Sequence, residues 1–239
     1  MGTYITKDRN NFYQLNWLDK FMMHHKGFIA GGCFKNIFEG KKVKDIDMFF
    51  ESKDDWLEAV DVFDKRTKGY FDIYEPDEDD ICNEWEEEYK FLYENEKVKA
   101  YIHIESGTRI ELCRAVFGKP EDVLNEFDFT VTKFALYKEE VEDEPADEFA
   151  DELGIIEPND THIEYRVMFH KDFFEHLHMK RLVTDNKIPF PMSTFERTIR
   201  YIGYGYRPCK ETKLKIALAI NEMVPEQIET NESLYDGWD

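Results

Sequence analysis

The hydrophobic pattern changes period several times along the chain. Phe12, Leu15, Leu18, Phe21 and Met22 recur every three or four residues through NFYQLNWLDKFMMHH, which predicts an amphipathic opening helix over residues 11–25. A short apolar run, Gly27 to Ala30, then ends at Gly31-Gly32; the helical-looking CFKNIFEG follows, and Asp45-Ile46-Asp47-Met48-Phe49-Phe50 reads as a strand. The predicted order is strand, glycine turn, helix, strand. DDWLEAVDVFDK (54–65) predicts a helix capped by Asp54 or Ser52, and Tyr70–Tyr74 a short aromatic strand. Val98–Glu105 and Thr108–Arg114 alternate apolar and polar residues around Ser106-Gly107, the pattern of a hairpin. Pro120 opens another short helix, whereas periodicity leaves the type of the apolar segment 127–136 open. From about Glu164 the apolar spacing reads as helical, interrupted by Pro189 and Pro191.

Charge changes this picture in two places. The run KEEVEDEPADEFADE is almost wholly acidic and reads as a linker or exposed loop, which divides the chain into 1–140, an acidic segment 141–160, and a small helical domain over 161–239. Across the whole chain 52 acidic residues face 31 Lys and Arg, a formal net charge of −21. Such a surface disfavours non-specific contact with phosphate backbones, so a nucleic-acid partner needs a local basic patch. The same surplus also suits a protein partner with a basic surface, or simply keeps the chain soluble.

No stretch approaches the roughly 18 apolar residues of a membrane span, and MGTYITKDRN lacks an apolar signal segment, so the expected location is the cytoplasm. The four cysteines, Cys33, Cys82, Cys113 and Cys209, form no CxxC pair, which fits reduced thiols rather than zinc or disulfides.

Candidate chemistry centres on the DxD strand. Residues two apart on a strand share a face, so Asp45 and Asp47 present paired carboxylates while Ile46 turns to the core. Hard oxygen ligands of this kind suit Mg2+ or Mn2+. Gly31-Gly32 lets the backbone approach a triphosphate, and Lys35 adds a positive charge. In so acidic a chain an isolated DxD also fits a charged strand edge. A third carboxylate strengthens the catalytic reading: in RIELCR, Ile110 and Leu112 take the core face and Glu111 the other. Glu105 is its rival and Asp72 a weaker one.

Taken together, IAGGCFKNIFEGKKVKDIDMFF resembles the signature of the polymerase-β-like nucleotidyltransferase superfamily, with twelve residues between Gly32 and Asp45. Within it the chain is most similar to the head domain of CCA-adding enzymes and poly(A) polymerases, whose GGxVRD motif corresponds to Gly31–Asn36. A second segment, Glu121 to Thr132, is similar to the family's segment ending RRDFTIN: Asp128, Phe129 and Thr130 match, Glu126-Phe127 replaces the arginine pair, and Thr132 replaces the asparagine. The resemblance implies an α/β fold, a mixed-sheet catalytic domain with flanking helices followed by a small helical domain. It also implies transfer of a nucleoside monophosphate from an NTP to an acceptor hydroxyl, with RNA 3′ ends as the family precedent. Asp45, Asp47 and Glu111 would hold the metal ions; Gly31, Gly32, Lys35, Arg114 and Asp128 would contact the nucleotide. The family's base-reading EDxxR motif has no clear counterpart ahead of Arg197, which leaves nucleotide choice open.

Three further groups carry weaker signals. Arg197 and Arg200 share one side of a predicted helix and would close on a triphosphate from the second domain, against the alternative of solvated helix arginines. Tyr201, Tyr204 and Tyr206 either stack a base or pack the core. His170, His176 and His178 lack metal-site spacing and read as histidine-rich surface. The competing function is that of an inactive acidic interaction protein that keeps the fold and occupies the basic surface of a nucleic-acid-binding partner.

Overall fold

The computed structural model describes residues 3–68, 87–142, 161–184, 188 and 190–223. The predicted strand Tyr70–Tyr74, with Asp72, Cys82 and most of the acidic run, lies outside these residues. Along the chain run β1 (Tyr4–Asp8), β2 (Phe28–Ala30), α1 (Gly32–Phe38), β3 (Asp45–Phe50), α2 (Lys53–Arg66), β4 (Tyr89–Glu94), β5 (Val98–His103) and β6 (Arg109–Phe117). They are followed by α3 (Pro120–Glu126), β7 (Phe134–Glu142), β8 (Thr161–His170), α4 (Phe173–His178), β9 (Arg181–Leu182), α5 (Pro191–Gly203), β10 (Arg207–Pro208) and α6 (Lys210–Asn221).

Eight strands form one mixed sheet in the order β1-β8-β7-β2-β3-β6-β5-β4, in which β3 and β6 run parallel and the other neighbours antiparallel. The alternation of DIDM explains β3: Ile46, Met48 and Phe50 are fully buried, while Asp45 and Asp47 on the opposite face are partly buried. Helix α2 covers the sheet beside β6, and the Trp56 indole N–H donates to the Leu112 carbonyl at 3.1 Å. Ser52 caps that helix through the Asp55 N–H. Around Phe134 the rings of Phe34, Phe169 and Phe173 lie 4.5 to 5.4 Å away, centre to centre, so one aromatic cluster joins β7 and β8 to α1 and α4.

Two elements differ from the sequence reading. The opening segment is a 3-10 helix, Tyr13–Phe21, preceded by a shorter one over Arg9–Asn11. Its buried residues, Leu15, Leu18 and Phe21, are spaced strictly by three, which matches three residues per turn better than 3.6. Residues 161–170 are not helical but form β8, the strand between β1 and β7. Ile163, Tyr165, Val167 and Phe169 alternate with polar neighbours over most of this stretch, the period of a strand. The sheet therefore extends past the acidic run, and helical structure begins at α4. Likewise the run's first residues, up to Glu142, continue β7. The segment 127–136 resolves into a 3-10 turn at Thr130–Thr132 and the start of β7.

Candidate active site

The site is a row of residues crossing the sheet. Backbone register aligns Tyr93 with Ala100, Ala100 with Glu111, Glu111 with Asp47, Asp47 with Ala30, and Ala30 with Ala135. The two carboxylates are thus direct neighbours on parallel strands, and alanines flank them on both sides. Asp45 lies two residues from Asp47 on the same face, opposite Arg109.

Burial and mutual repulsion set the charge state. Burial, then Glu111 and Asp45, raise the Asp47 carboxyl well above its usual range; burial also raises Glu111, against the pull of the Tyr93 hydroxyl and Arg109. The Tyr93 hydroxyl donates to Glu111 at 2.8 Å, and its own pKa is pushed up to about 12 by burial and by that carboxylate. Arg109 Nε lies 2.9 Å from Asp45 Oδ1 and 2.9 Å from Glu111 Oε1. Among the described residues no three His, Cys, Asp or Glu side chains are gathered closely enough to hold an ion. The donor set nevertheless fits a divalent cation: it consists of hard carboxylate oxygens, and their shared charge is what such an ion would neutralise.

Linkage gives a sign for stability. A carboxyl raised in the folded state contributes stability below the unfolded value of about 4, and that stability is lost as pH rises through the folded value. Asp47→Asn therefore stabilises the metal-free protein, by an amount that is absent near pH 3.5 and grows as pH rises above the unfolded value of about 4. Thermal melts of both proteins across this range check it.

Next to Asp47 the chain turns at Gly31, with φ +102° and ψ −146°. A Cβ there would sit 3.1 Å from the Phe127 ring and 3.4 Å from Asp47 Oδ2. The turn thus needs glycine for backbone conformation and for close approach to the carboxylate. Gly31→Ala is expected to cost about 1–3 kcal/mol, read by chemical denaturation. Gly32, the next residue, faces open space, with the Tyr201 hydroxyl the nearest atom at 3.8 Å.

A cleft of about 550 Å3 runs from this turn to α5. Gly32, Lys35, Asp45, Asp47, Asp128, Arg197 and Arg200 all line it, as do Lys41, Lys42, Lys44, Tyr201 and Tyr204. A chain of net charge −21 therefore places carboxylates on one wall of this cleft and a lysine cluster beside them. Lys35 is itself buried, donates to Asn36 Oδ1 at 2.6 Å and lies 5.2 Å from the Tyr204 ring; burial lowers its pKa, with Glu39 opposing. Asp128 is buried against Arg197, which ties α5 to the segment after α3. Farther out, partly buried Glu39 accepts from Tyr206 and Lys180 and pairs with Lys41 at 2.6 Å. Those contacts hold the C-terminal helices on α1.

A family model described as Gabija anti-defense 2 family protein matches residues 8–180. The chain belongs to the Gabija anti-defense 2 family. No curated protein matches the sequence. Among solved structures this member is similar to the Thermotoga maritima CCA-adding enzyme complexed with tRNA, with a TM-score of 0.57 and 14% identity, over 100% of this chain and 52% of that one. A CCA-adding enzyme in complex with CTP gives 0.56 and 16% over the same shares. A tRNA nucleotidyltransferase complexed with a primer tRNA and an incoming ATP analog gives 0.51 and 14%, over 92% of this chain and 55% of that one. The chain spans about half the length of these proteins. At such identities the likeness to these proteins is one of fold alone.

Against the sequence expectations, the fold brings Gly31, Gly32, Lys35, Asp45, Asp47, Glu111, Asp128, Arg197 and Arg200 to one side of the sheet. Arg114 is placed elsewhere: it belongs to the alternate face of β6, lies over the Trp56 ring at 4.9 Å and pairs with Glu94 at 2.9 Å. Glu105 sits in the hairpin turn and faces Lys20, so the register sets Glu111, not Glu105, beside Asp47. His170 and His176 are buried rather than on the surface, and His176 Nδ1 is 2.8 Å from Thr130 Oγ1. Tyr201 and Tyr206 are buried, whereas Tyr204 is half-exposed in the cleft. Sequence reasoning missed Arg109 and Tyr93, whose roles depend on cross-strand register. Lys42 and Lys44, just ahead of Asp45, line the same cleft. No helix among the described residues is long and apolar enough to cross a membrane.

Proposed function

We propose that this protein is a nucleotidyltransferase that moves a nucleoside monophosphate from an NTP to an acceptor hydroxyl, an RNA 3′ end by fold precedent, and that this transfer serves its action against Gabija. The observation that carries the reading is the pairing of Asp47 with Glu111, beside Asp45, at the edge of a lysine-lined cleft. Asp45, Asp47 and Glu111 would hold Mg2+ or Mn2+, which when bound activates an attacking hydroxyl and stabilises departing pyrophosphate.

The chain's own residues do the rest. Lys35, Lys41, Lys42, Lys44 and Arg200 offer positive charge to the triphosphate, and the open backbone at Gly32 admits a phosphate without a side chain in the way. Tyr204 offers an aromatic face to a base. Positioning and fixed charge supply most of the acceleration in this class of chemistry. The cytoplasm, where NTPs and RNA are available, is the matching compartment.

A second reading is favoured by the net charge of −21 and by the family's name: an inactive fold whose acidic surface occupies a basic, nucleic-acid-binding partner. The deciding experiment offers each α-labelled NTP, with Mg2+ or Mn2+, to total RNA and separately to protein extract. Labelled product supports transfer and names the base and acceptor class. No label, together with anti-Gabija activity that survives Asp45→Asn/Asp47→Asn, supports the acidic-partner reading instead.

A further inference from the structure

We propose that Arg109 is an internal counter-cation that occupies the space between Asp45 and Glu111 and has to leave it before a divalent ion can load. The inference rests on the carboxylate cluster being a metal site, and it concerns how that site is guarded.

Position and charge carry the argument. Arg109 is the cross-strand partner of Asp45 and stands two residues before Glu111 on the same face of β6. From there its Nε reaches both carboxylates at 2.9 Å. Glu111 is almost fully buried, so Arg109 supplies the main positive charge beside it, with the Tyr93 hydroxyl as its other partner. The side chain itself is about one-third exposed, with a route out toward solvent rather than a fixed place in the core.

A guanidinium is always charged and presents several donors in a rigid fork, so one arginine can bridge two carboxylates where a lysine ammonium reaches them as a point charge. A divalent ion using the same oxygens must displace that charge or share the site against its repulsion. The consequence is a free protein with weak affinity for the bare ion. An ion that arrives already paired with a triphosphate brings its own compensating negative charge and meets less repulsion. Metal loading is then coupled to nucleotide loading, as in any linked pair of sites. An arginine that merely oriented the carboxylates would behave in the opposite way, since loss of an orienting partner weakens metal binding about 10- to 100-fold.

The sign of one measurement separates these roles. Mn2+ binding to the full chain is measured by calorimetry without nucleotide for wild type, Arg109→Lys, Arg109→Gln and Asp47→Asn, with circular dichroism reporting folding. The expected order of affinity is wild type weakest, R109K intermediate and R109Q tightest, roughly tenfold or more above wild type, while D47N loses binding. If R109Q does not fold, R109K against wild type gives the same sign. Unchanged or weaker binding in the arginine variants, with D47N still losing it, overturns the counter-cation role and leaves the metal site standing. Absence of Mn2+ binding in every protein, with or without added NTP, overturns both.

Discussion

Replacing Asp45 and Asp47 by asparagine is expected to reduce transfer by at least about 10^3-fold while leaving the fold intact. Metal stabilisation of reacting oxygens is worth several kcal/mol, and each 1.36 kcal/mol is a factor of ten in rate. Both side chains are partly buried on the face of β3 away from Ile46, Met48 and Phe50, which are untouched by the change. Because burial and repulsion destabilise the ionised Asp47, the double variant should melt at a higher temperature than wild type without metal. Lost activity with increased stability is a combination that general misfolding cannot produce. Pyrophosphate release and thermal melts of the same preparation check both halves.

The second large effect concerns the tie between the sheet and the C-terminal helices. Arg197→Met leaves the Asp128 carboxylate, whose side chain is 3% exposed, without its ion-pair partner. Breaking a buried pair from one side costs about 3–5 kcal/mol because the remaining charge stays desolvated. The double variant Asp128→Asn/Arg197→Met should recover much of that loss, since it removes the uncompensated charge as well. Urea denaturation of the four proteins in this cycle measures the coupling directly.

Much of this arrangement could be read in the amino-acid sequence wherever one face of an element is buried. Asp45–Met48 alternates so regularly that its core face and its paired carboxylates follow from spacing. Ser106-Gly107 announces the β5–β6 hairpin, and Gly107 takes φ +66° in its turn. Elsewhere two periods competed: Leu15, Leu18 and Phe21 fit an amphipathic helix of either pitch, and Thr161–His170 carries a strand alternation next to residues with helical spacing. Local pattern does not decide such cases; the partners do, here β1 and β7. The candidate site shows the same division. Glycine turn, carboxylates and lysine were visible because they are close in sequence. Arg109 and Tyr93 act across strands, and the misplacement of Arg114 is a matter of which face of β6 it occupies.

The charge distribution also takes on meaning only in the fold. The acidic surplus dominates the composition, yet Lys35, Lys41, Lys42 and Lys44 gather at one cleft with Arg200. Long nucleic acid meets repulsion over most of such a protein, while a single triphosphate, or the end of a strand, meets a concentrated positive wall. That contrast fits a transferase acting at a terminus.

The most direct measurement compares the fate of two labels. Purified protein is given Mg2+, an RNA acceptor and the same NTP labelled either at the α-phosphate or at the γ-phosphate. The α label is expected to enter the acceptor while the γ label appears in pyrophosphate, and Asp45→Asn/Asp47→Asn is expected to abolish both. Retention of both labels in intact NTP across all four nucleotides and both metals, with RNA and with protein acceptors, would contradict nucleotidyl transfer by this protein.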